Sequence, residues 1–267
     1  MLTDDRMKQI LDFPLPANDA ALWWLGQAGY IIRSADTTVV IDPYLSDSAA
    51  KDTPELTRLY PVPLDPGQLR ADVYIVTHDH LDHLDPETIG PYKHKDDTWF
   101  VAPRQAARKL IEQGVPESRV VVLHAGERWQ HGAVEISGVF ALPSGIDVLD
   151  TTGYTITFSN GRQVYHTSDT EFHPLVLAAA PIAPEVLLIP INGKWGNPGP
   201  EQAARFAQAL QPKYVLPNHY DLMALNAENP ATFEWFCRQY ALADRCVVPE
   251  RMKPFKWGGE PELNDIK

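Results

Sequence analysis

Directly behind the apolar run Val73 to Val76, the chain places Thr77-His78-Asp79-His80-Leu81-Asp82-His83-Leu84-Asp85, three histidines and three carboxylates in nine residues. No other stretch limits the fold so strongly, because it requires a strand that ends at a polar site. In extended backbone alternate side chains share a face, so His78 and His80 converge on one cation, and a following turn brings Asp82 and His83 together on a neighbouring one. Imidazole and carboxylate suit zinc, iron or manganese, and the lack of a nearby cysteine disfavours a thiolate site. The plainer reading, a solvated histidine-rich loop, is weakened by how tightly the tract follows the apolar run.

The rest of the chain alternates strands and helices. Strands are expected over Leu22 to Ile32, Thr38 to Ile41, Trp99 to Ala102, Val120 to Leu123, Val134 to Leu142, Gly153 to Ser159, Gln163 to Tyr165, Val186 to Ile191 and Tyr214 to Leu216. Asn160-Gly161 reads as a hairpin turn, since both residues accept positive φ. Helices are expected over Arg104 to Gln113, Glu171 to Ala180, Pro200 to Leu210 and Ala231 to Tyr240. Residues 43 to 72 carry Pro43, Pro54, Pro61, Pro63 and Pro66, a density that forbids a long regular element and suggests an ordered excursion beside a site. The alternation favours an α/β layered fold with helices outside two packed sheets; pattern alone leaves a doubly wound single sheet open.

Composition narrows the partners. With 35 acidic and 23 basic residues the formal net charge is -12, which disfavours nucleic acid and anionic membrane. Cys237 and Cys246 are too few for a disulfide framework and fit a reducing cytoplasm. Asp4, Asp5, Arg6 and Lys8 interrupt the N-terminus where a secretory signal would be apolar. Pro181, Pro184 and Glu185 break the most apolar stretch, Leu175 to Ile191, so no membrane span is expected.

The segment His78, His80, Asp82, His83 matches the HxHxDH motif, and by it the chain resembles the metallo-β-lactamase superfamily. Tyr165-His166-Thr167-Ser168-Asp169-Thr170 is similar to the family's strand-end motif with the bridging aspartate, and Leu216-Pro217-Asn218-His219-Tyr220-Asp221 to the segment supplying the last histidine. Trp24-Leu25-Gly26-Gln27-Ala28-Gly29, Ile41-Asp42-Pro43, Ile191-Asn192-Gly193 and Gly196-Asn197 resemble the branch containing L-ascorbate-6-phosphate lactonase. The resemblance covers roughly residues 22 to 258. It implies a single-domain, four-layer αββα sandwich over residues 22 to 267, preceded by an N-terminal arm over 1 to 21.

Two departures stand out. Many relatives carry a third metal-binding histidine after the strand here read as Val134 to Leu142, where this chain has Ala141-Leu142-Pro143-Ser144-Gly145. Water, substrate, Asp147, Asp150 or His166 is then left to complete that site, and one-metal occupancy becomes plausible. Ser168 also stands where relatives commonly have glycine.

The resemblance puts His78 and His80 on one metal, Asp82, His83 and His219 on the second, and Asp169 between them, with one or two zinc or manganese ions per chain. Asp82, Asp169 and His166 are the catalytic candidates. His166 is open between orienting Asp169, donating to substrate and satisfying a backbone carbonyl. Asp42 is expected to fix a histidine tautomer, with Asp85 and Asp79 as candidates for the same work. Lys194 and Asn197 precede a helix N-terminus and are candidates for binding an anionic substrate, against the plain reading of an exposed lysine and a proline-rich cap. Trp23, Trp24 and Tyr30 are expected to pack in a sheet core.

The function implied is a metal-dependent, lactonase-like ester hydrolase: hydroxide generated on the metal opens the ring of a small anionic sugar lactone, phosphorylated or not. A metal-dependent phosphodiesterase is the alternative enzyme, and a noncatalytic metal- or ligand-binding protein the alternative of another class. No nucleic acid and no membrane partner is expected; a homo-oligomer is left open.

Overall fold

A computed structural model describes residues 6–51, 53–143, 145 and 147–259. Ser144 of the histidine-lacking segment, and residues 1–5 and 260–267, lie outside the described residues. The strands in chain order are β1 (Ala20–Gly26), β2 (Gly29–Arg33), β3 (Thr38–Ile41), β4 (Val73–Ile75), β5 (Trp99–Ala102), β6 (Val120–Val122), β7 (Arg128–His131), β8 (Val134–Phe140), β9 (Thr152–Phe158), β10 (Gln163–His166), β11 (Val186–Pro190), β12 (Tyr214–Asn218) and β13 (Pro254–Trp257). The helices are α1 (Arg6–Leu11), α2 (Pro86–Ile89), α3 (Arg104–Glu112), α4 (Pro174–Ala179), α5 (Pro200–Leu210) and α6 (Pro230–Gln239).

The strands form a seven-stranded sheet, β13-β1-β2-β3-β4-β5-β6, and a six-stranded sheet, β12-β11-β10-β9-β8-β7. Side-chain alternation explains why they stack. Leu22 and Trp24 of β1, Val39 and Ile41 of β3, and Val73 and Ile75 of β4 face the second sheet's Ile156, Val164 and Leu188 in one apolar cluster. The intervening Trp23, Val40 and Tyr74 pack instead with Met7 and Ile10 of α1, Ile89 of α2 and Leu110 of α3. Both faces of the first sheet are thus covered, which is why its strands read as unbroken apolar runs. Ala203, Phe206 and Leu210 of α5 and Phe233 of α6 close the far side of the second sheet. The result is the four-layer αββα sandwich. No helix among the described residues is long and apolar enough to cross a membrane.

Several boundaries differ from expectation. Leu22 to Ile32 is two antiparallel strands, because Gly26 (φ 100°) and Gln27 (φ 52°) reverse the chain through a turn without the Asn-Gly signature. The helix expected from Glu171 begins at Pro174, capped by His173, whose Nδ1 accepts from Leu175 N at 3.2 Å. The hairpin at Asn160-Gly161 forms as read, with Gly161 at φ 81° joining β9 to β10. Trp23, Trp24 and Tyr30 are buried, and Trp24 stacks on Tyr220 with centroids 5.2 Å apart.

Strand direction creates the site. β3 and β4 run parallel with Ile41 opposite Ile75, so Asp42 and Thr77 emerge at the same edge. In the other sheet β10, β11 and β12 are parallel, with His166, Leu188 and Leu216 in one row, so the loops after them share an edge as well. Ligand sites of layered α/β folds gather where strand C-terminal ends meet. Here two sheets contribute such ends.

Candidate metal centre

The loop after β4 bends back on itself: Leu84 N donates to His80 O at 2.8 Å, and this turn sets His83 beside His78, ring centroids 4.0 Å apart. From the second sheet, Asp169 follows β10 and His219 follows β12. His219 Nε2 lies 3.2 Å from Asp82 Oδ2 and 3.2 Å from Asp169 Oδ2. His83 Nε2 lies 3.6 Å from Asp169 Oδ1, 3.8 Å from Asp82 Oδ2 and 3.4 Å from His219 Nε2. Two triads have donor atoms mutually within 4.8 Å: His78, His83 and Asp169, and Asp82, His83 and His219. The sequence made Asp169 the shared member; His83 belongs to both of these triads, and Asp169, in the first, also lies beside His219 of the second. His80 stands beside them, its Nδ1 3.0 Å from His78 Nε2 and its Nε2 3.4 Å from Asp147 Oδ1.

The imidazoles are oriented from behind. Asp42 Oδ1 accepts from Thr77 N at 2.8 Å and Oδ2 from Thr77 Oγ1 at 2.6 Å; Oδ2 also meets His83 Nδ1 at 2.7 Å. This fixes His83 with Nε2 toward the cluster, as expected of Asp42. Thr77 has spent its only hydroxyl hydrogen on Asp42, so at 3.0 Å it accepts from His78 Nδ1–H, which turns His78 Nε2 inward. Gly29 makes room: a Cβ there would come 2.8 Å from Asp42 O.

Amides do the rest, and sequence reasoning missed most of them. Asn197 Nδ2 donates to Asp169 Oδ2 at 2.7 Å while its Oδ1 accepts from Thr170 N at 3.0 Å, so Asn197 holds Asp169. The Asn226 amide lies 2.7 Å from His219 Nδ1, and Asn192 Nδ2 donates to Asn226 Oδ1 at 2.5 Å. Gln27 Nε2 donates to Asp82 Oδ2 at 2.7 Å, and its buried Oε1 has no partner among the described residues. Backbone strain gathers at the same place: Gln27, Asp42, Ser168, Trp195 and His219 all have positive φ. Ser168 keeps, at φ 64°, the conformation glycine would adopt, and its hydroxyl bonds Thr151 Oγ1 at 2.7 Å.

Other candidates are used elsewhere. Both ring nitrogens of His166 are committed to backbone: Nε2–H donates to Ala28 O and Nδ1 accepts from Ser168 N, each at 3.0 Å. It satisfies the chain rather than completing a ligand set. Asp85 accepts from Glu87 N at 3.0 Å and Ser48 Oγ at 2.9 Å, capping α2 and tying the proline-rich excursion to it, with no histidine in reach of those bonds. Asp79 pairs with Lys109 at 2.6 Å. Asp150 faces Gln105 N at 3.3 Å, so of the acids offered for the missing ligand only Asp147 stands next to His80. Lys194 Nζ donates to Leu225 O, and Gly199 N is bonded at 3.2 Å by Gln202 of α5.

Electrostatics follow from burying two carboxylates. Burial alone would raise the pKa of Asp169, but His219 and His83 outweigh it and hold the group well below the carboxylate range. Asp82 is lowered too, against burial, by His83 and His219. Burial likewise opposes charge on His219, yet Asp169 and Asp82 lift it to about 9; His83 is raised well above its ordinary value by Asp82, Asp169 and Asp42. His78, deeper and beside His83, is pushed well below it by burial and that neighbour. Anionic oxygen and inward-facing imidazole nitrogen in a buried cluster form a donor set that fits a borderline divalent cation.

Comparison with known proteins agrees. The model of the Beta-lactamase superfamily domain matches residues 21–219. The UPF0173 metal-dependent hydrolase of Pyrobaculum islandicum is 30% identical over 79% of this chain and 88% of that protein. That of Saccharolobus solfataricus is 31% identical over 76% and 85%. The isothiocyanate hydrolase from Delia radicum gut bacteria superposes with a TM-score of 0.72 at 18% identity, covering 90% of this chain and 100% of that one, a likeness of fold. The chain therefore belongs to the β-lactamase superfamily and, within it, to the UPF0173 metal-dependent hydrolase family.

Proposed function

We propose that this chain is a metal-dependent hydrolase acting on a carbonyl ester, with a lactone ring as the leading substrate class. The observation that carries the reading is the convergence of His78, His83, His219, Asp82 and Asp169, of which Asp82, Asp169 and His219 line an open cavity together with His80. These residues would hold one or two divalent ions, zinc or manganese. A bound ion of this kind brings water within reach of ionisation at neutral pH and polarises a carbonyl.

The chain supplies the proton path. In this reading the Asp169 carboxylate takes a proton from the water whose oxygen bonds the carbonyl carbon. As the ring C–O bond breaks, the same carboxylate returns that proton to the leaving oxygen. Asn197 keeps Asp169 Oδ2 in place, leaving Oδ1 as the moving partner. The reading puts the protein in the cytoplasm, supported by Cys237 and Cys246 both being free thiols.

The test is reconstitution of the purified protein with zinc or manganese, elemental analysis, and a panel of lactones, linear esters and phosphodiesters. Stoichiometric uptake with lactone hydrolysis lost in His83→Ala supports the proposal. Phosphodiester turnover without ester turnover would replace it with the phosphodiesterase reading. Uptake without any turnover would favour a binding protein.

A further inference from the structure

The cavity above the cluster encloses about 460 Å³, room for more than a small ring. Its floor is polar; its walls carry Leu56, Leu81, Trp195, Met223 and Leu225, from the loops after β3, β4, β11 and β12. Trp195 is 51% exposed, Leu225 40% and Leu81 37%. A single exposed apolar side chain needs no explanation, whereas several from separate loops facing one cavity mark a binding surface.

Trp195 also sits at φ 51° between Gly193 (φ 63°) and Gly196 (φ 94°), a conformation costly for a bulky residue. Lys194, next to it, ties this loop to the loop after β12 by donating to Leu225 O, and so its ammonium is turned to backbone. Among the described residues no lysine or arginine lines the cavity, and the charge at its mouth is the exposed carboxylate of Asp147. Beyond the ligand cluster, the described wall offers an anion no ammonium or guanidinium, and an alkyl group five large apolar side chains.

We infer that the substrate is an uncharged lactone or ester bearing an apolar tail, which lies against Trp195, Leu225, Met223 and Leu56 while the carbonyl reaches the floor. This differs from the anionic sugar expected from sequence, and it rests on the hydrolase reading above. Trp195 is the specificity residue: its indole covers the tail at the cavity mouth.

The experiment uses the full chain reconstituted with zinc or manganese and a series of γ-alkyl lactones of increasing tail length. Lactones of matched size bearing a carboxylate or phosphate are run beside them. In parallel, calorimetry measures binding of the corresponding γ-alkyl lactams, which place the same tail without the labile ester. kcat/KM and lactam affinity are expected to rise about 4-fold per methylene while the tail is being buried. Trp195→Ala is expected to flatten both slopes and Trp195→Phe to recover most of them. Turnover that ignores tail length, or favours the charged lactones, would overturn the inference and leave the hydrolase reading standing. Tail-dependent lactam binding without turnover of any lactone or ester would uphold the apolar site and overturn the hydrolase reading. Absence of both would sink the two together.

Discussion

Asp42 and His83 meet at 2.7 Å through Oδ2 and Nδ1, with both side chains wholly excluded from solvent. The contact spans two parallel strands, and it leaves His83 Nε2 as the nitrogen facing both triads. Replacing Asp42 by Asn keeps shape and burial but loses the anion that selects the tautomer. Asp42→Asn is expected to weaken divalent-ion affinity by about 10- to 100-fold. Competition against a chromophoric chelator measures it; an unchanged affinity would show that His83 is no ligand.

Behind His219 stands Asn226, whose Nδ2 donates to Nδ1 at 2.7 Å, the opposite sense to Asp42, which accepts from His83 Nδ1–H. That bond favours the neutral ring with its hydrogen on Nε2, the nitrogen an ion needs, so Asn226→Leu is expected to leave ion affinity unchanged or higher. Asn226→Asp, whose carboxylate accepts Nδ1–H and frees Nε2, is expected to raise affinity by about 10- to 100-fold. A loss of affinity in both variants, with normal circular dichroism, would overturn this orientation of the amide.

His219 titrates near 9 in the folded protein, above its ordinary value of 6.5, because Asp169 and Asp82 outweigh burial. A raised pKa contributes stability that is fully present below about pH 6.5 and is lost as pH rises through about 9. Chelator-treated protein should therefore melt at lower temperature at pH 9.5 than at pH 6.5. A divalent ion competes for the same nitrogen, so its affinity should rise over that window, up to about tenfold per pH unit. Scanning calorimetry and chelator competition read the two slopes, and an ion affinity independent of pH would remove His219 from the ligand set.

Ser168 pays backbone strain at φ 64° and gains a hydroxyl bond to Thr151. Glycine would relieve about 1 kcal/mol of the former and forfeit about 1 kcal/mol of the latter. It would also add about 0.5–1 kcal/mol of unfolded-chain freedom. Ser168→Gly is thus expected to destabilise by about 1 kcal/mol at most, with ion affinity unchanged. Urea unfolding that shows a loss several times larger would mean the hydroxyl holds the Asp169 loop in place.

The histidine tract was legible because its members are contiguous and follow a strand, so local geometry alone brings them together. Asp169 and His219 lie far apart in sequence and were readable only through motif resemblance. The supporting amides Gln27, Asn192 and Asn226 were invisible as such, since asparagine in a loop is ordinarily a turn residue. His166 looked like site chemistry because it sits three residues from Asp169, but its ring is consumed by Ala28 O and Ser168 N. The proline-rich excursion was read correctly as irregular and beside a site: Ala49, Thr53 and Leu56 line the cavity. The first hairpin was missed because the turn at Gly26-Gln27-Ala28 is so short that Gly26 and Gly29 read as bends within one strand.

Because the candidate ligands come from strand ends of both sheets, with His78, Asp82 and His83 on one side and Asp169 and His219 on the other, an ion held among them would rivet the two halves of the sandwich. Every tenfold excess of free ion over its dissociation constant would then add about 1.4 kcal/mol against separation of the sheets. Metal supply would set the lifetime of the fold in the cell as well as the rate of its chemistry.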